Sequence, residues 1–493
     1  MCVFLTVYGV SIWYLKAAAL DYGMANADIA LYQNLLWNTN FDGLLFYSDF
    51  LFYEFGYRSY LTEHFSPTLT LLVPFYKLWS SPYLLLMSQT LAPVITALLV
   101  FIYAKKLNLP NTIGLLFAVA YCVHPTVVMA TLDIGNGFHH DSLIPPFLIA
   151  SLILFNSPHI KMYYLTLILT LGLKENVPFI VLIAGVVAFL TSEQRRKAAF
   201  SVVLAITFLI FALVIIPEVY NVKPQHASGI IERIAEQRLS ISAFFSTLWA
   251  NKELFWFASA FLSPIVLLTL APEIAIYHYS SYETFIFDWH GLPSLTIVVI
   301  SAMLGFKRWL TLTRHLKPGL ATQIFICHLV VIVLAGVVYS SAKSRNLIFA
   351  AVLSERPAVT VSVESFKKME EMLPKDERLG VQYAYWPYAA NRKHLQLSEH
   401  AFHSEYFFVD TALLNIQHDA PMIRLINLLF DEGKIATLAN EGARFFLFKI
   451  VDDFEHKPIN DYLLPLNQEQ FMEAKRTIAV KGKEINREGT TEF

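Results

Sequence analysis

The strongest constraint on this chain is a succession of apolar runs, each about as long as a bilayer is thick. A helix rises about 1.5 Å per residue, so roughly 20 apolar residues cross the hydrocarbon layer. By that rule the candidate spans are 1–19, 83–104, 111–131, 142–156, 162–190, 198–216, 254–276, 292–306 and 321–340. The run 162–190 is long enough for two short helices, and 66–79 (SPTLTLLVPFYKLW) reads as a half-length or interfacial helix. The expectation is a mainly α, polytopic membrane protein with about 9–11 spans. Only 15% of the residues are charged, against about 25% in soluble domains. A net charge of −2 and the lack of a long basic tract give no ground for a nucleic-acid partner. Cys2, Cys122 and Cys327 lie in apolar runs, with neither a disulfide framework nor a metal-binding spacing. The N-terminus lacks the basic region of a cleaved signal, so residues 1–19 are expected to stay as the first span.

Orientation follows the Lys/Arg bias of short loops. Lys105 and Lys106, then Arg195, Arg196 and Lys197, then Lys307, Arg308, Arg314 and Lys317 form three basic clusters expected on the cytoplasmic side. Residues 20–82, 132–141, 172–176 and 217–240 then share the outer side, and a re-entrant or interfacial helix at 241–252 would settle the parity that follows. Past residue 340 the chain turns polar, which predicts a membrane domain over 1–340 and a small extracytoplasmic α/β domain over 341–493. RLGVQ and EYFFVD read as strands, VESFKKMEEML and PMIRLINLLFDEG as helices. KIATLANEGARFFLFKI reads as a hairpin turning near Asn440–Gly442, and the charged tail from about Val480 predicts fraying.

The stretch Asp21–Pro67 is too long and too aromatic for a simple connector. It carries Asp28, Gln33, Trp37, Glu63 and His64, and reads as the outer lip of an active site, with a first outer loop over 20–66. Asp28 shares a helical face with Tyr32, Leu35 and Leu36. It is either a general base at the membrane surface or a helix N-cap. Glu63 and His64 offer groups that bind a divalent cation or a phosphate. The alternative is a helix start, which explains Ser66 and Pro67 but not the two residues before them. TLDIGNGFHHDSLIPP gathers Asp133, His139, His140 and Asp141 between two spans. Adjacent histidines point in different directions, so both cannot easily serve one metal. Lys174 and Glu175 break an apolar run, as a structural ion pair or as a functional site. Tyr277, His278 and Tyr279, with Glu283, Asp288 and His290, make an aromatic and acidic segment between spans.

With these pieces placed, the chain resembles a bacterial and archaeal family of integral membrane proteins of unknown function. That family is similar in plan to the GT-C glycosyltransferases. The matching residues are ADIALYQNLLWNT, EHFSP with LLVPFYKLW, FHHD, LKEN and YHY, with SEYFFVDTALL and KIATLANEGARFFLFKI near the end. Ala30 departs from the glycine usual at that place. The resemblance implies that Asp28 is the catalytic base, and that Glu63, His64 and His139 are cation or phosphate contacts. It implies a donor-phosphate contact at Lys174, and substrate contacts at Gln33, Glu175, Tyr277 and His278. It also implies a polyprenyl-phosphate-sugar donor lying in the membrane lipid, a separate acceptor, and a divalent cation such as Mg or Mn. The expected activity is sugar transfer on the outer face of the cell membrane. The other function classes are a membrane transporter, which the break at Lys174 fits and the lack of an internal repeat does not, and an inactive scaffold of the same plan.

Overall fold

The apolar runs become helices, and each break in them has a physical cause. The computed structural model describes residues 1–24, 27–40, 45–133, 136–222, 246, 256–279, 289–313, 319–344, 360–397, 403–415, 418–442, 444–451, 468–484 and 491–492. Helix α1 (Cys2–Asp21) is the first span. The loop region after it carries α2 (Ala27–Asn38), α3 (Asp49–Phe55) and α4 (Leu72–Leu78). Then come α5 (Pro82–Lys106), α6 (Asn111–Val123), α7 (Pro125–Leu132), α8 (Ile144–Phe155), α9 (Ile160–Leu171), α10 (Val177–Thr191) and α11 (Arg195–Ile210). Among the described residues five helices are long and apolar enough to cross a bilayer, and α6 with α7 makes a sixth, bent by 49°. Four shorter apolar helices lie at His140–Phe155, Ile160–Leu171, Val177–Thr191 and Pro264–Ile276.

Proline makes the bend. Pro125 has no N–H to give and pushes the preceding residue out of helical geometry, and His124 sits at φ −63°, ψ 135°. The 162–190 run divides into α9 and α10, as its length allows. Gly172, which closes α9, accepts a hydrogen bond from Thr68 N–H at 2.8 Å, and a Cβ there would lie 2.6 Å from Thr68 Oγ1. The run 254–276, expected as one span, is broken instead. Short turns at Ala258–Leu262 and Pro264–Leu267 lead into a helix at Ala271–Tyr279. The first turn presses onto the helix Leu292–Leu312, where a Cβ on Gly305 would lie 1.8 Å from Ser259 O. The helix expected at 241–252 falls outside the described residues except for residue 246. Two of the basic clusters meet at one end of the bundle. Lys106 Nζ donates to Ile153 O at 3.2 Å, and Lys197 Nζ donates to Phe155 O at 2.8 Å.

The C-terminal region holds a six-stranded sheet in the order β2-β1-β3-β5-β4-β6. The strands are β1 (Leu379–Val381), β2 (Leu395–Leu397), β3 (Tyr406–Asp410), β4 (Ile435–Glu441), β5 (Phe445–Ile450) and β6 (Thr491–Glu492). β4 and β5 form the expected antiparallel hairpin, while β1 runs parallel to β2 and β3. Alternation along β3 and β5 sends side chains to both faces. Phe407, Val409, Phe446 and Phe448 pack on the helix Ala420–Asp431, with Phe471 and Ile478 of the helix Gln468–Glu484. Those two apolar anchors, seven residues apart, keep the tail helical through Val480, where the charge pattern predicts fraying. Tyr406, Phe408, Phe445 and Leu447 join a second core with Ile29, Leu35, Leu36, Phe46 and Leu51 of the first loop region. Polar bonds fix the register of that contact. Asn34 Nδ2 donates to Ala390 O and Arg392 O at 2.9 and 2.7 Å, and Asp49 Oδ2 accepts from Gln396 Nε2 at 3.1 Å.

Gly305 gives a direct check on the packing of the broken segment. Gly305→Ala is expected to lower stability in detergent by about 1–3 kcal/mol, the usual range for overpacking, read as a fall in melting temperature. An unchanged melting temperature would show that the turn at Ala258–Leu262 does not rest on Leu292–Leu312.

Candidate active site

Three segments converge beside the start of α2, which begins at Ala27 and so places Asp28 in its first turn rather than at the N-cap. A carboxylate there is favoured by the helix dipole. The neighbouring Ile29 N–H donates to Asn136 O at 3.0 Å and draws in the loop after α7. That loop presents His139, whose Nε2 lies 3.1 Å from Asp28 Oδ2 and 3.0 Å from Asp133 Oδ2. The His139 ring stacks on Trp289, with centroids 3.3 Å apart and planes at 7°. Asp133 has φ +22°, a conformation that L residues rarely adopt. The Asp28 side chain keeps 35% of its exposure, against 6% for His139 and 8% for Asp133. Asp28 is therefore the most exposed member of the trio. Burial pushes the Asp28 carboxyl above the ordinary carboxylate value, and Asp133 adds to the rise, while His139 and His64 work against it.

One turn further along α2, Tyr32 starts a hydrogen-bonded chain. Its hydroxyl lies 2.6 Å from Tyr60 Oη and 2.6 Å from His140 Nδ1, and His140 Nε2 lies 3.1 Å from Ser66 Oγ. The two adjacent histidines thus diverge, one to the carboxylates and one to hydroxyls. Ser66 occupies the N-cap of the 3-10 turn Pro67–Leu71 but makes no side-chain cap bond. Its hydroxyl serves His140 instead.

The break between α9 and α10 supplies the third segment. Lys174 and Glu175 are not each other's partners. Lys174 Nζ donates to both oxygens of Asp141, at 2.8 and 3.1 Å, and both side chains are buried. Glu175 turns the other way and accepts from Phe65 N–H at 3.1 Å, with Oε1 2.9 Å from His64 Nδ1. Burial opposes the His64 imidazolium, but the Glu175 carboxylate outweighs it and holds His64 above its ordinary value. Burial likewise opposes the Glu175 carboxylate, and His64 and Lys174 overcome it, bringing Glu175 down to about 2. Behind them Asn176 Nδ2 donates at 2.9 Å to Glu273 Oε1, on a fully buried side chain.

The sequence-predicted residues divide accordingly. Asp28, His64, His139, Lys174 and Glu175 come together as one electrostatic unit, since Asp28 feels the charge of His64 and His64 feels those of Lys174 and Glu175. Glu63 lies beside His64 and adds to the charge around it. Gln33 stands apart, five residues beyond Asp28 and so about 140° around the helix. Its Nε2 donates to Tyr76 Oη at 3.0 Å, and Tyr76 donates in turn to Asn391 Oδ1 at 2.6 Å. Tyr277 and His278 belong to the helix Ala271–Tyr279, but their side chains, with Glu283 and Asp288, lie outside the described residues. Glu63, His64 and His139 are not drawn around a common point. Among the described residues no group of three or more His, Cys, Asp or Glu side chains is arranged to hold a metal ion. The divalent cation implied by the resemblance meets no ready ligand set among the described residues. Trp289 and Glu273 were missed, the first because an aromatic at a span end reads as an interface anchor. Glu273 lay within reach, as an acid inside an apolar run.

A family model described as a predicted membrane protein, DUF2079, matches residues 11–406. Among solved structures, ArnT from Cupriavidus metallidurans in the apo state aligns with a TM-score of 0.50 at 11% identity, covering 91% of this chain and 97% of that one. The same protein bound to undecaprenyl phosphate aligns with a TM-score of 0.50 at 10% identity and equal coverage. At such identity the likeness concerns the fold, which is ArnT-like and of GT-C plan. No curated protein matches the sequence.

The His64–Glu175 pair has a signature in pH. His64 is raised above 6.5, so its share of stability is complete below that value and fades as pH rises through the folded value. Glu175 is charged in both folded and unfolded chains above about its ordinary value of 4.5. The melting-temperature gap between wild type and Glu175→Gln is therefore expected to be widest between those limits and to narrow above them. A gap that widens toward alkaline pH would refute the pairing.

Proposed function

The chain belongs to the DUF2079 family of predicted membrane proteins, and from that footing we propose that it is a membrane glycosyltransferase using a polyprenyl-phosphate-sugar donor. The carrying observation is Asp28, a half-exposed carboxylate backed by buried His139 and Asp133 at 3.0–3.1 Å contacts. Its raised proton affinity suits a base that takes a proton from an acceptor hydroxyl near neutral pH. As that O–H proton moves to Asp28, the acceptor oxygen bonds to the anomeric carbon. The bond from that carbon to the phosphate oxygen breaks, and the polyprenyl phosphate leaves with the electron pair. Charge then develops on the phosphate, where a fixed cation is most useful.

Two cations are at hand. Lys174 is engaged with both oxygens of buried Asp141 and acts as a fixed field from behind. His64, held charged by Glu175 and with 19% of its side chain exposed, is the better-placed contact for the leaving phosphate. A lipid-linked donor is supported by the ArnT neighbour solved with undecaprenyl phosphate. The outer face is supported by the basic residues Lys106 and Lys197, which gather at the last turn of α8. The C-terminal sheet region, which we assign to the same outer side from about residue 341 onward, packs on the loop that carries Asp28.

Asp28→Asn is expected to cut transfer from a radiolabelled polyprenyl-phosphate sugar in membranes by about 10²–10⁴-fold, the usual worth of a general base. In the wild type the rate should fall with acidity through a value above the ordinary 3.8, because only the ionised carboxylate accepts the proton. Full transfer by Asp28→Asn removes it as the base.

A further inference from the structure

Lys16 is a lysine inside the first span, and its exposure is 1%. An ammonium at such a place is costly unless its protons find acceptors. Here they do. Lys16 Nζ donates to Gly137 O at 2.6 Å, to Thr131 O at 2.9 Å and to Gln89 Oε1 at 2.9 Å. Gln89, on α5, passes the link on by donating Nε2 to Ala130 O at 2.7 Å. Ala130 and Thr131 lie in the last turn of α7, where carbonyls lack intrahelical partners and a cation is favoured. Gly137 lies on the far side of the turn that follows. One ammonium therefore ties both ends of the turn that holds Asp133 at φ +22° and leads into His139. The same turn supplies Asn136 O, the acceptor for Ile29 N–H next to Asp28.

We propose that Lys16 is a positioning residue for the Asp28–His139–Asp133 cluster. By tying Thr131 O to Gly137 O it fixes the turn from which Asp133 and His139 meet Asp28. A neutral donor could hold the carbonyls. Three acceptors take all the protons of an ammonium, and its positive charge adds a counterweight to two carboxylates that crowd one imidazole. Only the kinetic part of this assignment rests on the transferase function.

The test uses the full chain in lipid nanodiscs, as wild type and Lys16→Met. Hydrogen exchange is read by mass spectrometry over 27–40 and 129–140, with the sheet strands 406–450 as the internal reference. Loss of the tie should speed exchange in both windows by about tenfold and leave the reference unchanged. In the transfer assay, kcat should fall with KM nearly constant, and the acid limb of the pH profile should move up by about one pH unit, because a displaced His139 no longer favours the ionised Asp28 carboxylate. Unchanged exchange overturns the tie whether or not the chain transfers sugar. Faster exchange with an unmoved acid limb makes Lys16 mere scaffold and overturns its positioning role. If the wild type transfers from no polyprenyl-phosphate donor, the transferase function fails and the exchange result alone decides the tie. Should Lys16→Met fail to fold, Gln89→Leu removes one of the three acceptors and should shift both readouts in the same direction by a smaller amount.

Discussion

A charge at the edge of a bilayer must find a partner, and in this protein the partners come from different segments of the chain. Asp141 holds Lys174, His64 holds Glu175, and His139 stands between Asp28 and Asp133. Removing one member of a buried pair leaves the other uncompensated, at a cost of about 3–5 kcal/mol. No loop of this site can therefore shift alone. The shape of the cluster follows from that constraint more than from apolar packing, since spans surrounded by lipid gain little by associating with one another. The chain of hydroxyls and imidazole from Tyr60 through Tyr32 and His140 to Ser66 closes the remaining space, with each polar atom given a partner.

The C-terminal region completes this arrangement from outside the cluster. Its sheet is covered by helices on one face and by the first loop region on the other. The apolar and aromatic side chains of that loop need a further surface to bury against. By borrowing the short helix Trp386–Ala389 as a floor, the loop gains a core that fixes α2 and hence the direction of Asp28. Gln33 belongs to this contact rather than to the cluster, through Tyr76 and Asn391.

Much of the fold was legible because bilayer thickness sets a length that a sequence either has or lacks. The runs at 83–104 and 321–340 correspond to helices at Pro82–Lys106 and Leu320–Tyr339. The run 254–276 misled, because hydropathy counts apolar residues and is blind to Pro264 and to the close approach at Gly305. In the site, Asp28 and Lys174 stood out as ionisable groups beside or inside apolar runs. Their partners did not: that Lys174 would choose Asp141 over its neighbour Glu175 depends on how α9 and α10 part, which no local pattern encodes. Lys16 carries the same signal as Lys174, but near the end of a run that reads as a plain first span it looks like an ordinary flanking lysine. The stacking of His139 on Trp289 joins segments with no shared periodicity, so nothing in the sequence pointed to it.

The bonds from Asn34 to the carbonyls of Ala390 and Arg392 span 356 and 358 residues of chain. Ribosomes add about 5–20 residues per second, so the loop bearing Asp28 emerges roughly 20–70 s before the segment that floors it. During that interval its aromatic face is bare in a crowded compartment. Biogenesis of this protein therefore passes through an extended half-built state, in which the first-made segment depends on the insertion machinery, or on the lipid surface itself, for shelter until the last third arrives.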